Sequence, residues 1–271
     1  MRYAVSSGNS MKFATLLFCL SVAMVDQLAA QLAAPNPSGV TMGHVHLYSK
    51  DPEAQKKFWV GALDAQETKL GGMQVFKLPG VLIMVQKADA RAGTEGSVIN
   101  HLGLKVRDLS ATLAKLESAH IPIVTHTPPQ AMVLAPDDIR VELTEDTAIS
   151  EPTINHHIHF YATDVDAMKN WYATTFGAIP GKRGKFEAAD LPGVNLTFTP
   201  SPTAQAPTKG RALDHIGFEV RNLEAFTKKL EAAGVKFDVP YRTIPSLGLS
   251  LAFLTDPWGT YIELTEGLNK L

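Results

Sequence analysis

An α+β fold made of two tandem copies of one domain is predicted by a long internal repeat, by strand and helix periodicities recurring in the same order, and by a histidine/glutamate pattern present twice. The segment HVHLYSKDPEAQKKFWVGALDA, from His44, aligns without a gap to HIHFYATDVDAMKNWYATTFGA, from His157. His44, His46, Tyr48, Asp51, Ala54, Lys56 and Ala65 match His157, His159, Tyr161, Asp164, Ala167, Lys169 and Ala178. A second pair is HLGLKVRDLSATLAKLESA from His101 and HIGFEVRNLEAFTKKLEAA from His215, and a third is IRVELTED and TYIELTEG. Order and approximate spacing are kept across all three, which chance similarity between two helices would not produce. The boundary falls near Thr147 to Thr153. Each half also echoes itself, since His44 and His101, and likewise His157 and His215, each open a strand-like run followed by a helix. The chain therefore reads as four similar units in two pairs.

Each element follows from local pattern. HVHLYS and HIHFYA alternate in the manner of half-buried strands. Asp51 and Asp164 stand where a helix N-cap belongs, and Pro52 suits the first helical position. Leu109, Leu113 and Leu116, like Leu223, Phe226 and Leu230, fall at helical spacing and read as core stripes. Gly234 is placed to end its helix. The runs VFKLPGVLIMV and LPGVNLTF read as strands turning at Leu78–Gly80 and Leu191–Gly193. A unit is thus a strand, a helix and about three further strands.

Composition narrows the function classes. With 271 residues, 45% apolar and 19% charged, the chain is ordinary for a globular protein, and a net charge of −2 implies no nucleic-acid surface. The single cysteine, Cys19, lies in the first apolar stretch, so disulfides and thiolate ligands are not expected in the folded part. A metal there would be held by His, Asp or Glu. Lys12, an apolar run from Ala14 to Val25, and small residues at Ala29 and Ala30 form the pattern of a secretory signal. The expected layout is a signal peptide over residues 1–30, a linker over 31–39 and domains over 40–148 and 154–268. The mature chain would be secreted or periplasmic, without a membrane anchor, and a monomer or homodimer.

Six residues recur at corresponding places: His44, His101 and Glu142 in the first half, and His157, His215 and Glu263 in the second. Each His opens a strand, and each Glu is flanked by apolar strand residues. A carboxylate aimed into an apolar interior is costly unless paired, and a cation supplies the pairing. Two imidazoles and a carboxylate with open positions suit a divalent ion. His46 and His159 share a strand face with the first His of their halves, as do Tyr48 and Tyr161, which marks them as ligand-orienting or substrate-contacting groups. His156 alternates to the other face. Tyr241 and Arg242 are further candidates for binding an anionic substrate.

The series His44–Asp51–Phe58–Trp59–Leu63–Asp64 and its counterpart His157–Asp164–Trp171–Tyr172–Phe176–Gly177, with HLGLKV, HIGFEV, PDDIRVEL and DPWGTYIEL, resembles the vicinal oxygen chelate superfamily over about residues 40–267. That group includes glyoxalase I, fosfomycin- and bleomycin-resistance proteins and extradiol dioxygenases. The resemblance implies paired βαβββ units, each pair curling into a cup around one metal. It places ligands at His157, His215 and Glu263, and likewise at His44, His101 and Glu142. The first trio is the better matched, because Ala135-Pro136-Asp137-Asp138 departs from the family's Asp-Pro-x-Gly turn. His159, Tyr161 and Tyr241 are the catalytic candidates.

Two family activities fit less well. The fourth ligand of glyoxalase I, a Glu on the strand before the second His, has no counterpart in VLIMVQ or VNLTFTP. The extra His and Tyr of extradiol dioxygenases are missing from residues 194–210 and from LGLSLAFL. The expectation is a metal-dependent enzyme, of lyase/isomerase or dioxygenase type, acting on a small oxygen-rich molecule. The metal is left open among Fe, Mn, Zn and Ni. The alternative is a non-catalytic protein that sequesters a small ligand, of the bleomycin-resistance type.

Overall fold

The computed structural model describes residues 32–271 together with Met1 and Ala4; the expected signal segment lies outside the described residues. The four units follow one plan. Unit 1 holds β1 (Val40–Ser49), α1 (Pro52–Lys56), a π-helical turn over Lys57–Ala62, β2 (Gln66–Leu70), β3 (Met73–Leu78) and β4 (Val81–Lys87). Unit 2 holds β5 (Ile99–Val106), α2 (Leu109–Ser118), β6 (Ile123–Thr127), β7 (Gln130–Ala135) and β8 (Ile139–Glu145). Unit 3 holds β9 (Thr153–Ala162), α3 (Val165–Phe176), β10 (Ile179–Arg183), β11 (Phe186–Leu191) and β12 (Val194–Pro200). Unit 4 holds β13 (Leu213–Val220), α4 (Leu223–Ala232), β14 (Phe237–Ile244), β15 (Leu249–Thr255) and β16 (Tyr261–Glu266).

The helix starts follow the sequence. Asp51, Asp108 and Asp164 each accept a hydrogen bond from a backbone N–H in the first turn, at 3.1, 2.8 and 2.9 Å, satisfying a donor that the helix leaves unpaired. Asn222 does the same for α4. The helix after β1 departs from the plan: it widens into a π turn, and Trp59 Nε1 donates back to Gln55 Oε1 at 2.9 Å. Leu109, Leu113, Leu116, Leu223, Phe226 and Leu230 are all buried, and Gly234 follows α4 with φ +88°.

The strands form two eight-stranded mixed sheets, with orders β14-β15-β16-β13-β1-β4-β3-β2 and β10-β11-β12-β9-β5-β8-β7-β6. Here the pairing of units departs from expectation. Units of the same half do not share a sheet; unit 1 pairs with unit 4, and unit 2 with unit 3. The joins are antiparallel, β1 against β13 and β5 against β9. The physical reason is that all four opening strands present the same kind of edge, so the sequence of one unit does not specify which other unit completes its sheet.

Between the sheets and their helices lies the main core, which includes Trp59, Phe58, Phe160, Tyr172, Phe176 and Phe218. Phe176 of α3 meets Phe218 of β13 at 4.8 Å between ring centroids, and the Tyr172 hydroxyl donates to Asp256 at 2.9 Å. These contacts tie one sheet to the other. The opposite face of the first sheet carries a smaller apolar cluster that includes Val75, Leu82, Met84, Leu249 and Leu268. Strand alternation sends Leu82 and Met84 to that face while Val81, Ile83 and Val85 enter the main core.

Candidate functional site

The sheet pairing decides which side chains meet. In the first sheet the register sets His46 opposite His215, and Gly217 opposite both His44 and Glu263. Nε2 of His44 lies 2.9 Å and Nε2 of His215 3.0 Å from the same carboxylate oxygen, Glu263 Oε2. His46 packs on His215 with ring centroids 4.5 Å apart, and its buried Nε2 has no hydrogen-bond partner. Behind His215, Nδ1 donates to Asp214 Oδ2 at 2.7 Å. That bond orients the ring so that Nε2 points to the centre, where it donates to Glu263 in the metal-free chain and would offer its lone pair to a bound cation.

The electrostatics are those of a cation site. Burial disfavours charge on Glu263, but the hydrogen bonds of His215 and His44 outweigh it and hold the carboxyl well below its usual range. For His215, burial pulls the imidazole down, and the bonds to Asp214 and Glu263 more than reverse this. His46 is pushed down to about 3 by burial and by its neighbours His215 and His44, so it is neutral near pH 7. Among the described residues no Lys or Arg pairs with Glu263. His44, His46, His215 and Glu263 each offer a ligand atom, all within 4.8 Å of one another. Two buried carboxylates and an orphaned imidazole nitrogen, with no Lys or Arg paired to them among the described residues, fit a divalent metal.

In the second sheet the register repeats. His101 faces His159, and Gly103 faces His157 and Glu142. Nε2 of His101 and Nε2 of His157 approach to 3.3 Å, and Glu142 lies 3.8 and 3.7 Å from these two nitrogens. The surroundings differ. Asn100, not a carboxylate, accepts from His101 Nδ1 at 2.9 Å. The guanidinium of Arg183 comes within 3.2 Å of His157 Nε2 and 3.9 Å of Glu142. Burial, the nearby His159 and Arg183 push His101 down to about 2, and burial with Arg183 lowers His159 to about 4. The nitrogen that would ligate a metal here already faces a cation, so this second trio does not fit a divalent ion as it stands.

The six expected ligands thus meet, but in other trios: His215 and Glu263 join His44 rather than His157, and His157 joins His101 and Glu142. His159 and Tyr161, taken as catalytic, stand at the second centre, with their ring centroids 5.6 Å apart. His46 and Tyr48 hold the matching places at the first. Tyr241 faces away: it packs against the main core, with its hydroxyl 3.4 Å from Ser250 Oγ. The irregular register of edge strand β14 turns it there. His156 sits behind His157, Nδ1 to Nδ1 at 3.1 Å, outside the trio.

Four residues escaped the sequence reading. A Cβ on Gly217 would lie 2.0 Å from His44 Cε1, and one on Gly103 1.9 Å from His157 Cε1, so only glycine lets these rings lie across the neighbouring strand. The signal was available, because His-x-Gly occurs in both HLG and HIG. Asp214 and Arg183 gave no comparable sign, since neither repeats in the other half. Met84 and Thr197 occupy the strand positions across from His46 and His159, so neither neighbouring strand places a carboxylate there.

A cavity of about 470 Å³ opens over the first centre. Its walls include Leu70, Met73, Met84, Leu249, Leu251 and Phe253; Tyr48 and Tyr261 add hydroxyls, and the exposed Arg91 and Lys209 add charge. Lys209 Nζ lies 4.1 Å from the centroid of Tyr261. Burial raises Tyr261 to about 12, with Asp238 and Asp214 adding to it, so its hydroxyl stays protonated.

The fold is shared with solved structures. Glyoxalase I from Zea mays, as a V278E mutant, is 15% identical with a TM-score of 0.69, covering 85% of this chain and 94% of that one. A putative dioxygenase from Bacillus subtilis is 14% identical with a TM-score of 0.64, covering 88% and 86%. Comparison with curated proteins gave no match. The model of the Glyoxalase/Bleomycin resistance protein/Dioxygenase superfamily matches twice in succession, over residues 41–152 and 153–264, and the chain belongs to that superfamily.

Proposed function

We propose that the protein is a divalent-metal-dependent enzyme whose working centre is His44, His215 and Glu263. The substrate would be a small oxygen-rich molecule held in the cavity above them. The observation that carries this reading is the convergence of two imidazole nitrogens on one carboxylate oxygen, at 2.9 and 3.0 Å, with a second carboxylate behind and, among the described residues, no Lys or Arg paired with that carboxylate. Bound there, a divalent ion would polarise vicinal oxygens of a substrate and stabilise charge that develops on them.

The chain's own residues supply the rest. Asp214 holds His215 in the ligating tautomer. His46, neutral near pH 7 and with Nε2 unpaired, is placed to ligate or to accept a hydrogen bond from the substrate. Tyr261 and Tyr48 present hydroxyls to the cavity. The apolar wall excludes water and holds an unpolar part of the substrate. Arg91 and Lys209, which form no ion pair among the described residues, favour a substrate with a negative charge near the mouth.

The experiment is elemental analysis of the purified chain beside Glu263→Gln, with an activity screen over catechols, hemithioacetals and epoxides. Bound metal that is lost in the variant, together with turnover in one class, supports the enzyme. The apolar wall also favours the sequestering protein, and metal-free material that binds a ligand tightly without turnover would establish that reading instead.

A further inference from the structure

We propose that Arg183 is the resident cation of the second centre, so that His101, His157 and Glu142 form a structural charge cluster rather than a metal site. On the reading of the first centre given above, the chain then takes up one divalent ion. Three histidines here do come within ligand reach of one another: His101, His157 and His159. What separates this cluster from the first is the guanidinium, at 3.2 Å from His157 Nε2 and 3.9 Å from Glu142 Oε1. It stands where a metal would draw on the same nitrogen and oxygen.

Arg183 is held there. Its Nε donates to Thr197 Oγ1 at 2.8 Å, and Thr197 Oγ1 donates to Asn195 Oδ1 at 2.6 Å. The guanidinium carbon lies 5.6 Å from the centroid of Phe186. Thr197 is fully buried, so this anchor is part of the sheet. Arg183 and Leu70 occupy equivalent ends of β10 and β2, each paired across its hairpin, to Phe186 and Met73. Thr197 and Asn195 answer to Met84 and Leu82 in the same way, by the spacing that relates His157 to His44. Unit 1 therefore has apolar residues at all three positions of the anchor, and unit 3 has a chain of donors and acceptors. One carboxylate meets one built-in positive charge at the second centre. At the first, no Lys or Arg among the described residues pairs with Glu263 or Asp214.

The test counts ions. Purified full-length chain, stripped with a chelator, is titrated with Co(II) and followed by visible absorption and calorimetry. To keep the outcome independent of the first centre, the same titration is run in a His215→Ala background. There the chain is expected to take no Co(II), Arg183→Met to gain one equivalent, and Arg183→Met with Glu142→Gln to lose it again. Arg183→Lys, which keeps a cation, is expected to gain none and serves as the folded control. One equivalent bound in the His215→Ala background and lost on Glu142→Gln would overturn the proposal. So would an Arg183→Met variant that keeps its cooperative thermal unfolding and yet binds nothing. If the otherwise unmutated chain takes no ion while these second-centre results hold, the reading of the first centre fails and this one stands.

Discussion

The two centres are built from the same ligand-type side chains on the same strand positions, yet they differ in charge. At the first, Asp214 stands behind the second-strand His; at the second, the place belongs to Asn100. At the first, the hairpin end carries Leu70; at the second, it carries Arg183. One centre holds two buried carboxylates that bracket His215 and face a cavity, and the other a carboxylate already paired with a guanidinium. A divalent ion placed 4 Å from that guanidinium would meet repulsion of about 8 kcal/mol at an effective dielectric constant near 20. That repulsion is comparable to the binding energy of a micromolar ligand. A His/His/Glu trio is therefore not by itself a metal site. The residues around it decide.

The comparison breaks most sharply at the two glycines. Gly217→Ala would drive a methyl into the His44 ring, and Gly103→Ala into that of His157. Both variants should lose about 1–3 kcal/mol of stability from overpacking, measurable by urea unfolding. Only Gly217→Ala should also abolish metal content, because only it displaces a ligand of the proposed metal centre. Equal metal loss in both variants would mean that the centres are alike.

A smaller effect is expected from exchanging the residues behind the histidines. Asp214→Asn removes the carboxylate that orients His215 and should weaken Co(II) affinity about 10–100-fold, the usual cost of losing such a partner. Asn100→Asp adds a charge next to His101 but leaves Arg183 in place, so it should confer no Co(II) binding. An Asp214→Asn variant with unchanged affinity would remove the electrostatic distinction on which the contrast depends.

Much of this was legible before any coordinates. The caps at Asp51 and Asp164 depend on a residue three positions away, and the core stripe of α2 depends on spacing alone. Both are local, and local patterns survive in a sequence. Choice of partner is not local. His44 carries nothing that says its ring will meet His215 across β13 rather than His101 across β5, so the six residues expected to converge do converge, but in other trios. Arg183 was illegible for a related reason: it reaches the second centre from a hairpin end, and its counterpart Leu70 hides it from any search for repeats. Tyr241 misled in the opposite direction, since a Tyr-Arg pair near a strand looks functional until an irregular edge register turns the ring to the core.

The mildest contrast is in pH dependence, and it has opposite signs at the two centres. His159 is lowered to about 4 in the folded chain, against about 6.5 when unfolded. Between those values the unfolded state binds the proton and the folded state does not, so stability is full above pH 6.5 and falls as pH drops toward 4. From pH 7 to 5.5 this histidine should cost about 1 kcal/mol. His215 is raised in the metal-free chain, so its contribution is full below pH 6.5 and is lost as pH rises through its folded value. Urea unfolding in the presence of a chelator, at pH 7 and 5.5, measures both. His159→Gln should gain stability relative to the unmutated chain on acidification, and His215→Gln should lose it. If both variants shift in the same direction, the two imidazoles do not sit in the opposed environments that burial with Arg183 on one side, and Asp214 with Glu263 on the other, create for them.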